Sequence, residues 1–107
     1  MQFVPTPERG NERIKMITGT LRVRLLLREA RTLKDKRQVL HSIRDRLRQS
    51  FNVSVAEIEA NDNRQMIVLG MAMVGNEAHP IKKTLGEIVD ALKAHPIAEF
   101  VDYELEV

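Results

Sequence analysis

The sequence predicts an α+β fold: a four-stranded antiparallel sheet in the order 4-1-3-2, with two helices on one face, built along the chain as βαββαβ. Three observations carry this. Apolar residues gather in four short segments, most alternating with period two, the mark of strands with a buried face. Two segments between them switch to a helical period. The chain has 107 residues, enough for one core. Right-handed crossovers and short connections then make the split βαβ sandwich the economical topology.

Residues 1–15 hold two prolines and a Gly-Asn pair without any apolar period. They read as a flexible tail that cannot repay the entropy of ordering. The single domain is expected over 16–107, with Met16 a candidate natural start. From Ile17, the residues Gly19, Leu21, Val23, Leu25 and Leu27 point one way, and Thr18, Thr20, Arg22, Arg24 and Arg28 point the other. Arg31–Gln49 has a helical period, with Leu33, Leu40, Ile43 and Leu47 on one stripe. Thr32 is the expected N-cap and Asp35, three residues on, completes a capping box. Phe51–Ala60 is the second strand, and Asn61-Asp62-Asn63 is a turn signal. Met66–Val74 is almost continuously apolar, as in a central strand. Asn76 is placed to cap the next helix, with Pro80 in its first turn, where a missing N–H does no harm. Ala78, Ile81, Leu85, Ile88, Val89 and Leu92 form its stripe, and His95-Pro96 ends it. Val101, Tyr103, Leu105 and Val107 alternate with acids in the last strand. In this topology the first and last strands are neighbours, so Arg22 and Arg24 face Asp102, Glu104 and Glu106. That charge match was not used to build the topology and supports it independently.

Composition narrows the function. Apolar residues make up 43% and charged residues 30%, a globular profile. No apolar run is long enough to span a membrane, and no secretory signal is recognisable, so a cytoplasmic location is the expectation. The chain has no cysteine, which excludes disulfides, thiolate metal sites and a cysteine nucleophile. Phosphate-cradling glycine loops, serine-nucleophile contexts and paired carboxylates are absent from the local motifs. Neither an enzyme nor a cofactor is expected.

The net charge is only +2, but it is unevenly spread. Between Arg28 and Arg48 there are eight basic residues against three acids, a local charge of +5. From Glu77 onward seven acids face three lysines, giving −4. Such polarity attracts anionic partners more than the net charge suggests.

The first candidate site is the basic stripe of the first helix. Lys34, Arg37, His41, Arg44 and Arg48 fall within an arc of about 80° along roughly 21 Å of helix. This spacing suits successive phosphates of a nucleic acid, with Arg31 and Lys34 at the mouth of the site. A solvated helix face is the plain counter-reading. Lys36 lies at the centre of the apolar arc. It is expected to snorkel past the sheet, to pair with an acid such as Glu57, or to hold an anion at the loop. The third candidate is the outer sheet face, because the third strand is apolar on both sides. Either Ile67, Leu69, Met71 and Met73 or Met66, Val68, Ala72 and Val74 must point outward. An exposed strip of this kind fits a homodimer interface, with Ile67, Val68, Leu69, Met71 and Met73 as its candidate residues. A base-stacking sheet is disfavoured because that strand has no aromatic. The histidines flanking the second helix are roughly 24 Å apart, too far to share a metal. Glu57, Glu59 and Asp62 near the hairpin read as a solvated turn rather than a cation site.

Three segments carry a family resemblance. Ala30-Arg31-Thr32-Leu33-Lys34-Asp35-Lys36-Arg37 resembles the S/T-L-K-x-K-R opening of the first helix in the YlxP-like family. Phe51-Asn52-Val53-Ser54-Val55-Ala56-Glu57 resembles its second strand. Leu69-Gly70-Met71-Ala72-Met73-Val74 with Asn76 resembles its third. The resemblance spans about Met16 to Val107. It implies a small bacterial protein of unknown function with a ferredoxin-like fold. Genes of the family commonly neighbour those of translation-initiation and ribosome-maturation factors, which implies an RNA or ribosome connection. One departure is that Arg64-Gln65-Met66 stands where the family usually has Trp-Gln-Arg, so a hairpin-based mechanism does not transfer. The sequence thus leads to RNA or a ribosomal particle as the expected partner, bound through Arg31, Lys34, Lys36, Arg37, His41, Arg44 and Arg48. Two other readings stand beside it: a homodimeric interaction module using the sheet face, and a small-ligand regulatory domain resting on fold analogy alone.

Overall fold

A computed structural model describes residues 14–59 and 62–107. Most of the expected tail, 1–13, lies outside the described residues, as does Asn61 of the expected turn. The elements are β1 (Ile17–Leu26), α1 (Leu33–Ser50), β2 (Ser54–Glu59), β3 (Met66–Gly75), α2 (Ala78–Lys93) and β4 (Glu99–Glu106). The strands form one antiparallel sheet in the order β2-β3-β1-β4, which is the predicted order read from the other edge.

Local chemistry sets the boundaries. Thr32 Oγ1 accepts the Asp35 N–H at 3.1 Å, and Asp35 Oδ2 accepts the N–H groups of Arg31 (3.0 Å) and Thr32 (3.3 Å). The capping box is therefore complete, and α1 starts at Leu33, directly after the predicted N-cap Thr32. The same donors, Arg31 N–H foremost, hold the Asp35 carboxyl below its usual range. Phe51 is the C-cap of α1 rather than the first residue of a strand, and β2 is correspondingly shorter than predicted. The cap of α2 is Glu77, with no side-chain bond, rather than Asn76; Pro80 is in the first turn as expected. Past the end of α2, His95 Nδ1 accepts the N–H groups of Ile97 (3.2 Å) and Ala98 (3.0 Å) and turns the chain into β4. In the hairpin, Asn63 Oδ1 accepts the N–H groups of Gln65 (2.9 Å) and Met66 (3.1 Å), an Asx-type turn.

The core lies between the sheet and the two helices. Leu21, Val23 and Leu25 of β1 pair in register with Met71, Leu69 and Ile67 of β3, and all six are buried. Ile81, Leu85 and Ile88 of α2 and Leu40, Ile43 and Leu47 of α1 close over them. At Gly19 the α2 helix approaches β1 so closely that a Cβ would collide with Ile81.

This register decides which side of β3 is inward and corrects the sheet-face assignment. Ile67, Leu69 and Met71 are core residues, and half-buried Met73 packs against them. The complementary set faces outward, but Val68 is only 3% exposed. It is flanked in the ladder by Arg24 and Glu59, whose stems are long enough to cover it. Of the five proposed interface residues, none offers an open apolar surface on the outer face.

Candidate nucleic-acid interface

The buried stripe of α1, Lys36, Leu40, Ile43 and Leu47, docks the helix on the sheet. This turns the neighbouring arc outward. Lys34, Arg37, His41 and Arg48 are exposed, and Arg44 is half-buried. Among the described residues, none of Arg31, Lys34, Arg37, Arg44 and Arg48 has a carboxylate within 4.0 Å. Asp45 borders the row without pairing to it. By contrast, the cations of β1 are neutralised. Arg22 meets Glu104 at 2.7 Å, Arg24 Nε meets Asp102 at 2.7 Å, and Arg28, just beyond the strand, meets Glu99 at 2.6 Å. Hydrogen bonds from Arg24 and Arg28 hold Asp102 and Glu99 below the usual carboxylate range. The predicted match between the first and last strands is present, and it removes those arginines from the pool available to a partner.

Within the row, two arginines also serve the fold. Arg44 donates to His41 Nδ1, and its buried Nε has no hydrogen-bond partner among the described residues. Arg48 donates to the Val55 carbonyl of β2 at 3.1 Å. Lys34 and Arg37 are the side chains held least by the rest of the protein.

Lys36 is a correction. It is 1% exposed, its Nζ lies 3.0 Å from Glu57 Oε2, and it donates to the Asn63 carbonyl at 2.8 Å. The ammonium therefore ties α1 to the late part of β2 and to the hairpin turn, and cannot reach a phosphate. The expected pairing with Glu57 is present, and the phosphate-binding role falls away.

Two shallow concavities flank the row's first turn. One of about 610 Å³ is lined by Leu33, Lys34, Arg37, Gln38 and His41. The other, of about 710 Å³, lies between the start of α1 and the hairpin and brings Arg31 together with Arg64. Sequence reasoning did not join Arg64 to the site, because only the fold brings positions 31 and 64 together. On the outer sheet face, Thr20, Ser54, Ala56, Gly70 and Ala72 line a depression of about 450 Å³ bordered by Ile58 and the Arg22–Glu104 pair. Among the described residues, no helix is long and apolar enough to cross a membrane, and no cluster of three or more histidine or acidic side chains could hold a metal ion.

A family model described as "Protein of unknown function (DUF503)" matches residues 18–105. The chain is also 32% identical over 74 residues to "Uncharacterized protein YlxP" of Bacillus subtilis (strain 168). That alignment covers 69% of this chain and 80% of the relative.

Proposed function

The chain belongs to the DUF503 family of proteins of unknown function, and we propose that it is a non-enzymatic protein that binds RNA, or a ribosomal particle bearing it, through the cationic face of α1. One observation carries this reading. The arginines at β1 are matched one for one by β4 carboxylates, whereas the row on α1 has none within 4.0 Å among the described residues. A row of unneutralised cations on a rigid helix binds by releasing counterions from phosphates, which positions the protein without reading sequence.

The test is a salt titration of RNA binding with wild type and the Lys34→Ala/Arg37→Ala double variant. Both side chains are exposed, so the fold is retained. Each lost phosphate contact lowers the magnitude of the slope of log affinity against log salt by about 0.7–0.9. The double variant is expected to bind more weakly and to lose about 1.5 from its slope. Equal affinity and slope in the two proteins would remove the assignment.

A second reading places another copy of this chain on the outer sheet face. Val74, 60% exposed, and Ile58, 48% exposed, are the observation that favours it. It predicts a dimer in sedimentation that Val74→Asp dissociates, and a monomer at all concentrations eliminates it.

A further inference from the structure

We propose that the concavity of Leu33, Lys34, Arg37, Gln38 and His41 receives a ribose of double-stranded RNA, with Gln38 and His41 bonding a 2′-hydroxyl and Lys34 and Arg37 holding the adjoining phosphates. This rests on the RNA reading above and deepens it by naming the nucleic acid and the group that reads it.

Phosphates alone need only cations. This hollow combines two cations with two neutral polar groups and an apolar floor, Leu33, which is 37% exposed. Gln38 carries both a donor and an acceptor. His41 uses Nδ1 to accept from Arg44, so its Nε2 bears the proton and is a donor. A hydroxyl that both donates and accepts matches this pair, and the 2′-hydroxyl is the group that separates RNA from DNA. The apolar carbons of a sugar ring fit the leucine floor.

The helix also favours a duplex over a single strand. Proteins that hold single strands recover the ordering of the chain by stacking bases on aromatic rings. Among the described residues, no phenylalanine, tyrosine or tryptophan lines this hollow. Phe51 packs against the core, and Phe100 and Tyr103 pair with each other near Lys93. What remains is a rigid row whose polar side chains, four of them cations, advance by about 5 Å per step. That row fits a phosphate track already held at regular spacing. In A-form RNA the wide, shallow minor groove presents 2′-hydroxyls beside such a track.

The experiment measures fluorescence anisotropy with three probes: an RNA duplex of about 16 bp, the DNA duplex of the same sequence, and one RNA strand alone. Wild type is expected to prefer the RNA duplex over the DNA duplex by about three- to tenfold, the equivalent of one or two hydrogen bonds. In Gln38→Ala, an exposed position where alanine suits the helix, the preference should fall to what the remaining His41 bond supplies, about threefold or less, while DNA affinity stays unchanged. Equal binding of the two duplexes by wild type, or a preference undiminished in the variant, overturns the ribose assignment. A single strand bound as tightly as the duplex overturns the duplex assignment. Failure to bind any probe overturns the underlying RNA reading instead.

Discussion

Lys36→Met isolates the buried ion pair. Methionine keeps the unbranched stem and most of its volume, so the substitution removes charge and donors without opening a large cavity. It leaves Glu57 Oε2, which is shut off from water, without the ammonium 3.0 Å away. It also leaves the Asn63 carbonyl without its 2.8 Å donor. Removing one partner of a buried pair costs about 3–5 kcal/mol. The lower end applies here, because the Glu57 side chain keeps 19% of its surface and can recruit water. For a domain of this size each kcal/mol moves Tm by about 4–8 °C, so a loss of about 3 kcal/mol corresponds to roughly 12–24 °C. Thermal and urea unfolding followed by circular dichroism read this directly. Lys36→Met/Glu57→Leu should recover most of the loss, since an apolar pair of similar volume often equals a buried ion pair. A single variant that loses less than about 1 kcal/mol, or a double variant no better than the single, refutes the reasoning.

Two further predictions concern the α2 side of the fold. Burial, with a smaller contribution from Arg46, holds the His95 imidazole below its ordinary value. A proton on Nδ1 would also displace the N–H groups of Ile97 and Ala98. The unfolded chain therefore binds the proton first, near pH 6.5, and His95 contributes stability above that pH that is lost as the pH falls through the window below it. Urea midpoints at pH 7.5 and 5.5 should differ in wild type, and the difference should shrink in His95→Ala. Gly19→Ala forces Ile81 off β1 and should destabilise by about 1–3 kcal/mol in urea unfolding without changing the fold; a neutral result would show that α2 shifts freely on the sheet.

Much of this architecture was written in local pattern. The Thr32–Asp35 box, the stripe of α1, the breaks between elements and the charge match of the outer strands all follow from spacing, because each depends on neighbours in sequence or on period alone. What escaped depends on contacts across the chain. Met66–Val74 is apolar on both sides, so its alternation has no phase of its own; pairing with Leu21, Val23 and Leu25 supplies it. The sequence marked Lys36 as out of place and named Glu57 among its possible partners, but only the folded hairpin adds the Asn63 carbonyl. The last strand's simple alternation also fails at one point. Arg24 pairs with Asp102 and Leu25 with Phe100, so Val101 is an extra residue in a bulge. Within the candidate site, the cationic row was legible, whereas the neutral Gln38 and the distant Arg64 carried no charge pattern or adjacency to reveal them.

The hydrogen bond from Arg48 to the Val55 carbonyl has a consequence beyond anchoring a side chain. β2 ends the sheet, and the outermost strand of an open sheet is a template on which a foreign chain can zip. A guanidinium seated on one of its carbonyls blocks a docking point for an incoming amide and places a charge beside it. A charge held at this strand edge disfavours its pairing with a second chain. Shortening Arg48 would unmask that edge, so loss of soluble protein in such a variant would confound a test of the proposed RNA binding.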